Sequence, residues 1–330
     1  MNAYARIEKY KAALTGFAIL TVLYGHYFYY HSGLQSYQNL NVTLWYAIGF
    51  VDFFMFLSGF GIYHSLSNNE DPLRFMRRRL GRLLPSYLPL ILAFCVYSLW
   101  TGIMTPFQAL GNLTILGWLA QIGGQFNWYF PTLIVMYLLS PLFYRIIKCY
   151  GRKSLLMIPL LFLIEGGGVG TSLMIGLSRF PIYFLGMYLA MEAQAGRKPS
   201  KRHLILSGVM AVLSLIALYF LVILKPNWLS KYGFWWHPYF FSTPGCLYFA
   251  SWIHEKFDKW KPTRLLNRIF TWLGGKSFEL YLVHLFVYMV ALNIGITGYI
   301  PWIGVALLAL ILGILYSILV NTILSKRKSK

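Results

Sequence analysis

Acidic side chains are scarce in this chain. Nine Asp and Glu stand against 29 Lys and Arg, a formal net charge of +20 at pH 7. Charge of either sign is sparse as well, at 12% of 330 residues, against roughly 25% in soluble domains. No polar stretch is long enough to enclose a separate soluble core, so residues 1–330 read as one domain. Cysteine is nearly missing. Cys95, Cys149 and Cys246 each lie in or beside an apolar run, at spacings that fit neither a disulfide framework nor a metal site. Sustained internal repeats are lacking. The first apolar run has no small-residue cleavage site and is followed by more runs, so it reads as a retained span.

What is present is hydrocarbon. Hydrophobic residues make up 58% of the chain, many of them in runs near or above the ~18 residues that suggest a membrane crossing. The expected fold is an all-α polytopic membrane protein with about ten transmembrane helices. They are read at 11–31, 43–66, 83–103, 127–147, 154–171, 172–192, 204–224, 233–253, 274–295 and 299–323. Residues 110–124 read as a short re-entrant or interfacial helix. All Lys and Arg but three fall on one side of this scheme, in the N-terminus, four short loops and the C-terminal tail. The exceptions are Lys225, Lys231 and Arg179. Positive-inside bias then places both termini in the cytoplasm, as an even number of spans requires. Basic residues confined to short loops describe topology, not a groove for nucleic acid, which is excluded as a partner. Membrane lipids are the expected surroundings.

Against this background, polar groups inside spans mark function. His26 lies in the first span, roughly 22 Å beyond Lys11 at about 1.5 Å per residue. His284 is midway along the ninth, Asp52 is in the second and Arg179 in the sixth. Each has a structural reading, a hydrogen bond between helices. Two ionisable histidines in different spans favour a shared polar cavity with a potential general base. Neither has a His or carboxylate at i+4, which argues against a zinc site on one helix.

The stretch "RRRLGRLLP" (Arg77 to Pro85) differs in kind. Five arginines, Arg74 among them, lie within nine positions, more than orientation needs, and Arg79 and Arg82 share a helix face. Guanidinium groups bind phosphate bidentately. Phosphate-binding groups at the cytoplasmic mouth of a polar passage, with a base deeper inside, suit a donor with a phosphorylated head and a long thin arm.

The chain also resembles a known family, the acyltransferase 3 family of integral membrane acyltransferases. The likeness rests on ordered motifs: "TGFAILTVLYGH" (Thr15 to His26), "DFFMFLSGFGI" (Asp52 to Ile62), "RFMRRRLGRLLPSY", "NWYFPTLIVMYLLSPL" (Asn127 to Leu142), "RFPIYFLGMYL" and "GKSFELYLVH". The resemblance implies transfer of an acyl group, by default acetyl, from cytosolic acyl-CoA to a hydroxyl acceptor, commonly a cell-surface glycan or exopolysaccharide, at a bacterial plasma membrane. His26 would be the catalytic histidine, and Arg79 and Arg82 would hold the donor, aided by Arg78 and Lys11. There are departures. Thr15 stands where many members carry Arg or Lys, and Trp128 to Tyr137 contains no acid.

The expected mechanism uses His26 as the base, Asp52 to orient it and Arg179 or His284 as a donor to the oxyanion. Arg179, Trp128 and Tyr129 are the candidate substrate-binding residues. No metal is expected. Buried His, Asp and Arg also suit a proton-coupled transporter of a small polar or anionic solute. That reading does not account for five arginines at one mouth, and the halves show no corresponding broken helices.

Overall fold

The computed structural model describes residues 1–30, 51–114, 116–123, 126–165, 171–224 and 237–328. Every element among them is helical. Residues 43–50 of the second expected span, the glycine-rich 166–170 segment, Lys225 and Lys231 lie outside the described residues.

In chain order the helices are α1 (Ala3–Tyr30), α2 (Val51–Asn68), α3 (Pro72–Trp100), α4 (Pro106–Leu113), α5 (Leu116–Leu119), α6 (Tyr129–Tyr150), α7 (Met157–Glu165) and α8 (Thr171–Leu177). There follow α9 (Phe180–Gln194), α10 (Lys201–Leu224), α11 (His237–Lys259), α12 (Lys261–Gly274), α13 (Ser277–Asn293) and α14 (Tyr299–Lys328). Five stretches are long and apolar enough to cross a membrane: Pro72–Trp100, Tyr129–Leu163, Leu173–Gln194, Lys201–Phe220 and Ile300–Ser325. The pair α12 and α13, bent by 71° between them, makes a sixth when taken as one span. Tyr129–Leu163 counts here as one stretch, where the sequence suggests two separated by a basic loop. The helix is interrupted at Gly151, whose φ of 50° belongs to the left-handed region that glycine enters without strain. The 110–124 region does contain short helices, α4 and α5. The basic run 256–276, expected as a loop, is helical over most of its length. It forms the end of α11 and all of α12, with Lys261, Arg264 and Arg268 on one short amphipathic element.

Burial separates the inner helices from the lipid-facing ones. Of the apolar window in Leu173–Gln194, 78% is buried, against 17% in Lys201–Phe220 and 28% in Ile300–Ser325. The outer faces of α10 and α14 expose Leu206, Val209, Leu213, Leu308, Ile311 and Leu315. Such continuous apolar surface is stable only in lipid, where helices satisfy their own backbone groups. The chain is an integral membrane protein.

Two helix crossings define the centre. At the first, Gly59 of α2 faces the Tyr183 carbonyl of α9, and Gly186 of α9 faces the Phe56 carbonyl of α2; a Cβ at either would overlap that backbone. At the second, Gly16 of α1 and Gly274 of α12 meet the Phe270 and Ala12 carbonyls in the same way. Small residues let backbones approach closely, which is the main attractive device between helices in lipid. The second crossing seats the α12–α13 bend directly against α1. The start of α3 is fixed separately. Asp71 caps it by accepting from the Leu73 and Arg74 amides at 2.9 and 3.3 Å, with Pro72 in the first turn. Next to that cap, Glu70 accepts from Lys148 and Tyr144 of α6 at 2.5 and 3.0 Å. The Lys148 ammonium, then the Tyr144 hydroxyl, hold the Glu70 carboxyl below its usual range.

Replacing Gly186 by Val forces α2 and α9 apart and is expected to destabilise the protein by about 3 kcal/mol or more. Val at the exposed Gly208 of α10, where nothing crowds the added atoms, serves as the control. Thermal unfolding in detergent should show a lowered midpoint for Gly186→Val alone; equal midpoints would remove the crossing from its central role.

Candidate functional site

The larger cavity has a volume of about 500 Å³ and opens among α1, α2, α3, α6, α13 and α14. Four cations line it, Lys9 and Lys11 from α1 and Arg79 and Arg82 from α3, together with the acids Glu8 and Glu279. Lys9 is paired with Asp258 at 3.1 Å. The local sequence explains the grouping. Arg79 and Arg82 are one helical turn apart on α3 and so share a face. Arg79 lies over the rings of Phe75 and Tyr137, at 5.4 and 5.9 Å, which fixes the direction of its guanidinium. Lys11 reaches the cavity past Gly61 of α2, where a Cβ would overlap the ammonium. Thr15 lies one turn further along α1, also on the wall, and its hydroxyl donates to the Lys11 carbonyl at 2.8 Å. Arg78, expected among the donor-binding residues, is exposed and does not line this cavity.

Phe54, Tyr129 and Phe278 form the inner wall. They also line a second, smaller void of about 40 Å³, which continues to Val22, Val51 and Tyr281. The Tyr129 and Tyr281 rings are 4.8 Å apart. Tyr129, a candidate substrate-binding residue, therefore stands between the basic cavity and what lies beyond.

One turn past Val22 on α1 comes His26. Three residues past Tyr281 on α13 comes His284, which is fully buried while His26 is half-buried. The two imidazoles meet: His284 Nε2 and His26 Nδ1 are 3.0 Å apart. His284 Nδ1 lies 3.0 Å from the Leu280 carbonyl. A carbonyl only accepts, so His284 Nδ1 carries the proton and, in the neutral ring, Nε2 accepts. His26 Nδ1 must then be the donor of that contact. In the neutral ring the proton of His26 is then on Nδ1 and not on Nε2. Both ring nitrogens of a neutral His284 are occupied, so the role considered for it as an oxyanion donor does not fit this arrangement; it fixes the tautomer of His26 instead.

Asp52 and Arg179 form a separate pair. Asp52 Oδ2 is 3.4 Å from Arg179 Nε, and each residue is 2% exposed. The Arg179 guanidinium lies 5.7 Å from the ring centres of both Trp128 and Tyr239, and its Nη1 donates to the Ser178 hydroxyl at 2.9 Å. Asp52, expected to orient His26, is thus an ion-pair partner of Arg179. Trp128 and Arg179, both candidate substrate-binding residues, are brought together.

Sequence reasoning passed over Glu279, Ser86, Tyr137 and Gly61. Glu279 carries a visible signal, since it is an acid in an apolar run five residues before His284. The other three are small or aromatic, and only the packing shows their part. Among the described residues, no group of three or more His, Cys, Asp or Glu is placed to hold a metal ion.

A family model described as an acyltransferase domain, that of acyltransferase 3, matches residues 13–322. No curated protein and no solved structure matches the chain.

Neutralising one partner of the Asp52–Arg179 pair leaves the other charged and buried, at a cost of about 3–5 kcal/mol. Asp52→Asn and Arg179→Gln should each lower the unfolding midpoint, and the double variant should recover part of the loss. Strict additivity of the two losses would mean that the charges do not support one another.

Proposed function

The chain belongs to the acyltransferase 3 family, and from that premise we propose that it moves an acyl group, by default acetyl, from cytosolic acyl-CoA to a hydroxyl of a cell-surface or exopolysaccharide glycan. The observation that carries this reading is the placing of two chemistries along the same helix, α1, with Lys11 in a basic cavity and His26 in an imidazole pair further on. Lys11, Arg79 and Arg82 line one cavity, and the His26–His284 imidazole pair lies one helical turn beyond Val22, which is on the wall of the adjoining void. Like charges brought together in a membrane protein repel unless a polyanion is bound between them. The phosphates of coenzyme A supply that polyanion. Its arm is long and thin enough to pass Phe54, Tyr129 and Phe278 toward the histidines.

The chain crosses the bilayer ten times with both termini on the cytoplasmic side, so that the basic cavity opens inward, in a bacterial plasma membrane. Lys11, Arg79 and Arg82 hold the phosphates. The thioester is presented near His26. As the acceptor oxygen attacks the thioester carbonyl carbon, His26 Nε2 takes the hydroxyl proton. The tetrahedral intermediate collapses with cleavage of the carbon–sulfur bond. The imidazolium then returns its proton to the departing thiolate. His284 holds His26 through the Nδ1 hydrogen bond, and that bond strengthens when His26 becomes charged. This is the orienting task that a carboxylate performs in a Ser-His-Asp triad, carried out here by a neutral ring. The Asp52–Arg179 pair, with Trp128 beneath the guanidinium, forms a polar wall available to the acceptor.

Several outcomes follow for purified protein given labelled acetyl-CoA and glycan acceptors. His26→Ala should reduce transfer by at least a thousandfold with folding intact, within the range of general-base and positioning effects. His284→Ala should leave donor binding unchanged and lower kcat by roughly tenfold to a hundredfold, since only the tautomer and orientation of the base are lost. Arg82→Ala should raise the apparent KM for the donor about tenfold or more, the worth of a charge-assisted hydrogen bond. Retained transfer by His26→Ala would sink the base assignment. Solute flux into proteoliposomes without acyl transfer would favour a transporter.

A further inference from the structure

Glu279 is a buried carboxylate on the wall of the basic cavity, and none of the chemistry above uses it. It lies in the first turn of α13, where the helix dipole favours negative charge. The Ser86 hydroxyl donates to its Oε1 at 2.6 Å, and the Ser317 hydroxyl to its Oε2 at 3.4 Å. Ser86 is held from behind, since Tyr316 of α14 donates to its carbonyl at 2.7 Å. Among the described residues no Lys, Arg or His is paired with Glu279, although Lys9, Lys11, Arg79 and Arg82 share its cavity. A carboxylate has about four acceptor positions, so the two serines leave capacity facing the void.

Its position along the path decides what it faces. Ser86 is four residues beyond Arg82 on α3, about 6 Å deeper along the helix. Glu279 is five residues before His284 on α13, about 7.5 Å along that helix. The acid therefore lies between the guanidiniums and the imidazole pair. An anionic acceptor at that depth repels phosphate and attracts a segment rich in neutral hydrogen-bond donors.

We infer that Glu279, held by Ser86 and Ser317, is the binding site for the donor-bearing middle of the acyl carrier, the hydroxyl and amide N–H groups of a pantetheine arm. This rests on the proposed function, in which coenzyme A is the carrier. The arm is thereby read by its own polar groups, and a carrier with a plain hydrocarbon chain behind its phosphates gains nothing at Glu279.

The test compares two ligands on the full-length protein in nanodiscs, by calorimetry. Coenzyme A carries phosphates and arm; adenosine 3′-phosphate 5′-diphosphate carries the same phosphates without the arm. In Glu279→Gln, coenzyme A should bind roughly tenfold to a hundredfold more weakly, as for loss of hydrogen bonds to a charged group. The armless nucleotide should bind as well as before or slightly better, because a negative charge near its phosphates is gone. Opposite responses support the inference. Tighter binding of both ligands would make Glu279 a mere counter-charge, and equal weakening of both would make it structural; either overturns the inference. Should Glu279→Gln not fold, Ser86→Ala and the wild-type difference between the two ligands carry the test, with coenzyme A expected to bind at least tenfold tighter. Equal wild-type affinities would overturn the inference while leaving the phosphate site intact. Binding of neither ligand to the wild type would instead remove coenzyme A as the donor, and this inference with it.

Discussion

Everything else in this structure answers to the repulsion among Lys11, Arg79 and Arg82. Three positive charges on one cavity wall at the edge of a membrane are unfavourable on their own. The fold accepts that cost by packing Arg79 and Lys11 into fixed directions, while Arg82 stays exposed at the mouth. Rings flank Arg79, a missing side chain at Gly61 admits Lys11, and the cap at Asp71 fixes where α3 begins. The close crossing at Gly16 and Gly274 draws α12 and the start of α13 onto α1. As a result the cationic wall of α1 and α3 faces the polar first turn of α13. An arrangement that stores repulsion in the empty state gives the most to a polyanionic ligand, because binding both neutralises the charges and removes the strain between them.

The second constraint is that an imidazole buried in a membrane protein must know which nitrogen bears its proton. On α13 a backbone carbonyl four residues back decides this for His284, and His284 then decides it for His26. A helix carbonyl is a dependable reference because its position follows from the helix itself. The relay needs no carboxylate near the reacting atoms. Asp52 is accordingly available for a different task, holding Arg179 against Trp128 and Tyr239.

Much of this was legible in the chain. Lys11, Arg79, Arg82, His26 and His284 stand out because charge and imidazole are costly in hydrocarbon, so a lone instance already carries information. Their grouping into a basic mouth and a deeper base follows from helical rise along α1. The pairings were not legible. Asp52 was matched to His26 by analogy with a triad, whereas its ion-pair partner is Arg179, because which face a residue presents depends on how α2 rotates against α9. That rotation is set by Gly59 and Gly186, and in a glycine-rich apolar run nothing marks these two as contacts. Arg78 was grouped with its neighbours by charge, yet one position of helix, about 100°, turns it out of the cavity. The helical nature of 256–276 was hidden for a related reason, since basic residues at a membrane boundary look the same in a loop and in a helix lying along it.

Glu279 brings the two constraints together. The first turn of α13 stabilises a carboxylate, and the same helix, one and a half turns later, supplies the carbonyl-anchored His284. The buried polar groups therefore change in kind with depth, from the Arg79 guanidinium and Lys11 ammonium to the Glu279 carboxylate on the cavity wall and then, beyond the cavity, to the imidazole pair. Under the proposed function, a carrier threaded past these groups is read three times, first for negative charge, then for hydrogen-bond donors and last for a group that a base can help to transfer. Phosphate moving inward past the acid would lose its counter-charges and meet a like one, so the order of groups in the carrier would fix how far it enters. Placement of the reacting bond beside His26 would then come from the carrier's own sequence of charge and polarity, matched against α1 and against α13, whose start the Gly16–Gly274 crossing draws onto α1.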